Sequence, residues 1–134
     1  MGNRLAVVAL AAVGLALPSA AQATTVRGKS GPLSATLVPS THHPTIKQMW
    51  PLRVTATLNG KPAHATATYE FLFNGLVVST QYPRNNKHFS FTGSFTDKLG
   101  PFGSSSEDQP LTLRVVIADG GHTVDLDWAI TTVA

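Results

Sequence analysis

Three histidines and one aspartate have side chains that could bind a transition metal: His64, His88, Asp119 and His122. Imidazole nitrogens and a carboxylate are donors that Cu(II), Ni(II) and Zn(II) accept. No two histidines have the H-x-H or H-x-x-x-H spacing, so only the fold could assemble such a site. Three cationic residues fall in the same loops: Lys61, Arg84 and Lys87. They would repel a metal ion, and the alternative is that all of these are ordinary solvated loop side chains.

A pair of carboxylates, Asp125 and Asp127, invites a glycosidase or Ca²⁺ interpretation. Alternate residues of a strand lie about 6–7 Å apart on one flat face, where no cleft desolvates either group. The pairing predicted below sets Asp127 opposite Arg114, which favours a cross-strand ion pair. The dipeptide Glu107-Asp108 lacks the carboxylate density that a Ca²⁺ site needs.

The remaining sequence offers no recognisable catalytic motif. The adjacent His42 and His43 would point to opposite sides of an extended chain, which favours a solvated loop. No serine lies in a G-x-S-x-G elbow, and neither H-E-x-x-H nor a phosphate-binding glycine loop occurs. We therefore expect a protein that is not an enzyme and that needs no cofactor.

The stretch Pro110–Val133 is the element around which the fold is expected to form. It consists of two alternating apolar runs joined by Gly120-Gly121, which predicts a long β-hairpin. Three apolar pairs follow from the register: Ile117 with Val124, Val115 with Leu126, and Leu113 with Trp128. A shift of one residue would turn one apolar set outward, so the pattern selects this register.

Five further strand-like segments precede the hairpin, whose two strands bring the total to about seven, with turn residues between them. Those before the hairpin are Leu33–Val38, Trp50–Leu58, Thr66–Phe73, the strand after Asn74-Gly75, and His88–Phe95. This pattern predicts a single all-β antiparallel sandwich. Alternating strand directions would bring the loops 59–65, 83–87 and 119–122 to one end, and with them the four candidate metal ligands.

The N-terminus predicts export from the cell. Met1–Ala23 has a positive residue, Arg4, an apolar run, and Ala21-Gln22-Ala23 as a cleavage signal, which is typical of a helical signal peptide removed after Ala23. Residues 24–32 are polar and predict a flexible lead-in, and residues 33–134 form the domain. The chain has no cysteine, which excludes disulfides and thiolate chemistry. Ten Lys and Arg, including Arg4, against seven Asp and Glu give no argument for nucleic acid.

Four sequence patterns carry a family resemblance: W-P-L-x-V-x-A, Y-x-F-x-F-N-G, F-x-F-x-G-x-F and the closing P-L-x-L-x-V-V. In this order they resemble immunoglobulin-like or fibronectin-type-III-like sandwiches, and more narrowly the small secreted immunoglobulin-like proteins of high-GC Gram-positive bacteria. The resemblance covers about residues 33–133 and implies an architecture, without a catalytic motif and without the cysteine pair of antibody domains.

The expected function is a non-catalytic secreted module. It would bind an extracellular protein, a glycan or the cell envelope through its loops or an edge strand, and Ser79–Gln81 has few charges that would block such pairing. One alternative is a Cu- or Zn-binding domain that uses His64, His88, Asp119 and His122. Another is an enzyme inhibitor, for which the connection Thr96–Gln109 is the only loop of sufficient length.

Overall fold

The computed structural model describes residues 24–134; the predicted signal peptide over Met1–Ala23 lies outside these residues. The described chain is all-β and forms two antiparallel sheets. Its strands are β1 (Val26–Ser30), β2 (Leu33–Pro39), β3 (Trp50–Leu58), β4 (Lys61–Pro62), β5 (His64–Phe73), β6 (Leu76–Gln81), β7 (Ser90–Thr92), β8 (Ser94–Leu99), β9 (Pro110–Ala118) and β10 (Thr123–Thr131). Two 3₁₀ turns, Pro83–Asn85 and Ser104–Ser106, lie between strands. Within residues 24–134 no helix has the length and apolar character needed to cross a membrane.

Each sheet contains five strands. In the first sheet the order is β1-β2-β3, and both β4 and β8 pair with the far side of β3 at different positions. In the second sheet the order is β10-β9-β5, and both β6 and β7 pair with β5. The inward side chains of both sheets form one hydrophobic core, so the architecture is the predicted β-sandwich, with ten strands in place of about seven.

The register predicted for the closing hairpin is confirmed. Residues of β9 and β10 pair as Ile117 with Val124, Val115 with Leu126, and Leu113 with Trp128. All six side chains are buried, because strict alternation over nine residues on each strand leaves only one pairing that keeps both apolar sets inside.

The predicted strand His88–Phe95 is instead divided between the two sheets. Ser90–Thr92 pairs with β5, whereas Ser94–Leu99 pairs with β3. Gly93 joins them with a φ of +80°, a conformation that side chains disfavour. The apolar alternation continues through this change of sheet, since Phe91 and Phe95 are both buried. The sequence pattern therefore shows which residues are buried, but not that the strand changes sheets.

The prediction of a flexible lead-in over residues 24–32 is wrong for most of its length. Val26–Ser30 forms β1 and pairs with β2 over five residues. Gly28 lies so close to β10 that an added Cβ would be 2.6 Å from Val124 Cγ1 and 3.1 Å from Leu126 Cδ2. Pairing with β2 and packing against β10 therefore hold this polar segment in place, although its sequence has little of the alternation that predicts a strand.

The hairpin at Asn74-Gly75 is also present, with one correction to its register. A two-residue turn at Asn74-Gly75 predicts the pairs Phe73 with Leu76, Phe71 with Val78 and Tyr69 with Thr80. The first pair is present, but Val78 is an additional residue, so Phe71 faces Ser79 and Tyr69 faces Gln81. A β-bulge of this kind places two residues of one strand opposite one of the other, and side-chain alternation cannot reveal it. The alternation of Thr66–Phe73 predicts Phe73 as a core residue, but it is only half-buried.

Candidate functional site

The tip of the closing hairpin holds two of the four predicted metal ligands, Asp119 and His122. One Asp119 oxygen accepts hydrogen bonds from the backbone N–H of Gly121 at 2.9 Å and of His122 at 2.7 Å. The other oxygen lies 3.7 Å from His122 Nδ1. The backbone donors lower the pKa of Asp119, since they stabilise the carboxylate. The oxygen that accepts the two backbone hydrogen bonds therefore holds the tight turn.

Of the other two predicted ligands, His64 lies at the same end of the second sheet as Asp119, since Thr66 pairs with Ala118, whereas His88 does not. His64 is at the start of β5, where its Nδ1 is 3.1 Å from Thr92 Oγ1. His88 belongs to the connection from β6 to β7, which follows the edge of β5 between Tyr69 and Thr66. The loop 83–87 is thus not at the end that holds Asp119. In residues 24–134 no three His, Cys, Asp or Glu side chains form a group that could hold a metal ion.

His42 has a structural role that the sequence did not suggest. Its ring stacks on Trp128 with centroids 3.7 Å apart and planes 6° from parallel. Its Nδ1 lies 2.7 Å from the carbonyl of Ala129, to which it must donate because a carbonyl only accepts. Trp128 Nε1 in turn donates to Thr41 O at 3.1 Å. The segment that was expected to be a solvated loop therefore covers the end of β10.

The outer face of the second sheet carries the carboxylate pair. Asp127 accepts two hydrogen bonds from Arg114, at 2.8 and 3.1 Å, as the predicted register requires. Asp125 lies 3.9 Å from the same guanidinium. Asp127 above all holds the pKa of Arg114 above its usual value. Both carboxylates are about half exposed, so neither has the desolvated surroundings of a general acid.

The long connection Thr96–Gln109 does not form a free protruding loop. Its first part belongs to β8, and Phe102 packs near Trp50 and Phe71 with ring centroids 6.0 and 5.9 Å apart. Ser106 O accepts a hydrogen bond from the buried Thr132 hydroxyl. These contacts hold the segment against the domain, which gives no support to an inhibitory loop.

A polar contact joins the two sheets on the side where β6 and β8 form their edges. The buried Tyr69 of β5 donates from its hydroxyl to Asp97 Oδ2 of β8 at 2.8 Å. Arg84 donates its backbone N–H to the same oxygen at 3.3 Å, and its Nη2 to Thr96 O at 3.1 Å. Its guanidinium carbon also lies 5.5 Å from the centre of the Phe89 ring. This cluster links β5, β8 and the 3₁₀ turn Pro83–Asn85 across one side of the sandwich.

The most unusual surface is β6, the outermost strand of the second sheet. Leu76, Val77 and Val78 are 71, 49 and 60 % exposed, the highest values among large apolar residues in the described chain. No charged residue occurs between Glu70 and Arg84. An edge strand presents unpaired backbone N–H and C=O groups, and proteins usually protect such strands with charges or proline. On β6 neither a charge nor a proline occurs before Pro83, and the bulge at Val78 is the one irregularity along the strand.

No protein-family model, curated protein or solved structure matches this chain. Its function must therefore be argued from its own residues.

Proposed function

We propose that this chain is a non-catalytic, exported binding module of immunoglobulin-like architecture that takes up an extended segment of a partner protein along β6. The all-β sandwich with hairpin-connected antiparallel strands supports the architecture. The leader-like pattern of Met1–Ala23 supports export. The observation that carries the binding role is the exposed, uncharged edge strand.

The chemistry of β6 determines what its partner should be. Backbone pairing with an added strand satisfies its free N–H and C=O groups, while neighbouring side chains select the sequence. Leu76, Val77 and Val78 are exposed and gain from contact with apolar residues, at roughly 25 cal/mol per Å² of apolar area buried. A charged partner strand would have no opposite charge to meet here. The expected partner is therefore an extended segment that is rich in apolar residues and carries no charge.

The proposal is tested with a variant that adds a charge to the edge. Linear peptides that bind the wild-type domain are selected from a random display library, and their affinities are measured for Val78→Lys. Val38→Lys is a matched control, because Val38 is also an exposed valine but lies on the inner strand β2. Selected peptides should be apolar and uncharged, and they should bind Val78→Lys at least about tenfold more weakly, since roughly 1.4 kcal/mol corresponds to that factor.

Three outcomes would contradict the proposal. They are a selection that yields no specific peptide, equal affinity for both lysine variants, and a wild-type domain that forms concentration-dependent dimers blocked by Val78→Lys. The last outcome would make a second copy of the chain the occupant of β6. Export is tested separately by the intact mass of the protein released from expressing cells, which should begin at Thr24.

A further inference from the structure

The outer face of the first sheet combines many cations and hydroxyl groups. We call it the basic face and define it by the side chains that alternate outward from β1, β2, β3 and β8. Its cations are Arg27, Lys29, Arg53 and Lys98, and its hydroxyl residues are Ser34, Thr36, Thr55, Thr57, Ser94 and Thr96. Val38 and Pro51 are the apolar residues among them. None of these outward positions holds an acidic residue.

The register arranges the four cations in a diagonal stripe. Arg27 shares a row with Thr36, Thr55 and Ser94, whereas Arg53 lies one row further along, beside Thr96. Lys29 lies one row before Arg27, and Lys98 lies one row beyond Arg53. With strands about 4.8 Å apart and alternate residues about 6.7 Å apart, the Cα atoms from Lys29 to Lys98 span about 25 Å.

The cations of the basic face are not neutralised by the protein. Within residues 24–134 none of the four forms a salt bridge or a side-chain hydrogen bond, whereas Arg114 on the opposite face is paired with Asp127. Asp97 lies beside Lys98 at the border of this face, but its carboxylate accepts a hydrogen bond from the Tyr69 hydroxyl. The outer face of the second sheet carries more acidic than basic residues, with Glu70, Asp125 and Asp127 around Arg114. The domain therefore has one cationic and one mainly anionic face.

Shallow depressions along the stripe give it a shape that a chain molecule could follow. One of about 640 Å³ lies between Val38, Pro51 and Lys98. A second, of about 430 Å³, is lined by Arg53, by Arg84 and by serine and threonine hydroxyls. A third, of about 330 Å³, lies beside Arg27 and Lys29. Arg53 lines the first two, so these join at the middle of the stripe.

We infer that the basic face binds a linear polymer with repeated acid groups, such as a chain of uronic acids or of phosphodiesters. Guanidinium and ammonium groups attract such acid groups, and the neighbouring hydroxyls can donate hydrogen bonds to them. The three aromatic residues that line the second depression, Phe89, Phe91 and Phe95, are buried and offer little ring surface for base stacking, and a broad flat sheet does not enter a nucleic-acid groove. These features favour an acidic polymer without bases. The site lies on a different sheet from β6 and does not depend on the function proposed above.

The test compares two variants that remove the same charge. Arg27→Gln/Arg53→Gln neutralises the middle of the stripe, whereas Lys61→Gln/Lys87→Gln neutralises two exposed residues outside it, one in β4 and one in the connection from β6 to β7. Affinity is measured calorimetrically for polygalacturonate, poly(glycerol phosphate) and single-stranded DNA at several salt concentrations. Circular dichroism establishes that both variants are folded.

The arginine variant should bind its preferred polymer about 30-fold more weakly, since each cation near an anionic surface contributes roughly 1 kcal/mol. Its salt dependence, as log affinity against log salt, should become less steep by about 1.4. The lysine variant should remain within about threefold of wild type. Comparison of the two polymers identifies carboxylate or phosphodiester as the recognised group. Equal losses in both variants, no binding to either polymer, or tighter binding to DNA would overturn the inference.

Discussion

The hydroxyl of Tyr69 on one sheet donates a 2.8 Å hydrogen bond to Asp97 on the other. It is a polar link between two layers whose other inward contacts are almost entirely apolar. Asp97 also accepts the backbone N–H of Arg84, so one carboxylate holds β5, β8 and the 3₁₀ turn Pro83–Asn85 together. The position of Asp97 predicts changes in the free energy of unfolding that can be measured separately from those caused by hydrophobic packing.

Replacing Tyr69 with Phe should lower the free energy of unfolding by about 1–3 kcal/mol, because the variant loses a hydrogen bond to a charged acceptor. Equilibrium unfolding in urea measures the change. Tyr82→Phe is the matched control, since the half-buried Tyr82 makes no side-chain hydrogen bond with residues 24–134, and its stability should stay within about 0.5 kcal/mol of wild type. Equal losses in both variants would show that the bond contributes nothing.

Alkaline pH should weaken the wild-type domain through the same residue. Burial, and then the bond to Asp97, raise the pKa of Tyr69 well above its ordinary value. A group with a raised folded-state pKa contributes stability that is complete below its unfolded pKa, about 10, and is lost as the pH rises above it. Melting temperatures between pH 8 and about 11.5 should therefore fall more steeply for wild type than for Tyr69→Phe. Parallel curves would refute this linkage.

Gly28→Ala should destabilise the domain by about 1–3 kcal/mol, because the new methyl group would overlap Val124 in a packed interior. Gly103→Ala is the control: its φ of −78° suits alanine, and the nearest atom to an added Cβ is 4.0 Å away. Urea unfolding of both variants measures the difference. A harmless Gly28→Ala would mean that β1 does not pack against β10 and that residues 24–32 are the flexible segment expected from sequence.

Asp119→Asn should be less stable than wild type at neutral pH, and the difference should disappear in acid. The hydrogen bonds from Gly121 and His122 lower the pKa of Asp119. A depressed folded-state pKa contributes stability above the unfolded pKa, about 3.9, which is lost as the pH falls through the folded value. Thermal melts from pH 7 down to about 2 follow this directly. A difference that stays constant over this range would exclude the carboxylate charge as its cause.

The alternation of apolar and polar residues predicted those parts of the fold that depend on residues close together in the sequence. The closing hairpin follows from alternation, so its register was correct. β1 was missed because Val26 is its only large apolar residue, and its order comes from packing against β10. The bulge at Val78 and the change of sheet at Gly93 depend on distant pairing, which leaves no mark on the alternation itself.

The candidate sites were harder to predict for the same reason. The cations of the basic face come from three strands, and residues 27, 53 and 98 become neighbours only once the register is known. Conversely, His88 was predicted to lie beside His64 and His122 because the loop 83–87 was expected at the end of the domain. In the fold it runs along the side of β5, where Pro83–Asn85 packs beside Asp97.

The turn Pro83–Asn85 also limits how far the exposed edge can extend. Pro83 has no backbone N–H to donate to a neighbouring strand. Arg84 and Asn85 have φ angles of 55° and 57°, in the left-handed region, and these bend the chain away from the line of β6. A strand added at Leu76–Gln81 therefore meets only six residues. Six uncharged residues of this kind are also the length of segment that can stack into fibrils, so the same short opening that admits a guest exposes the protein to self-association when no guest is bound.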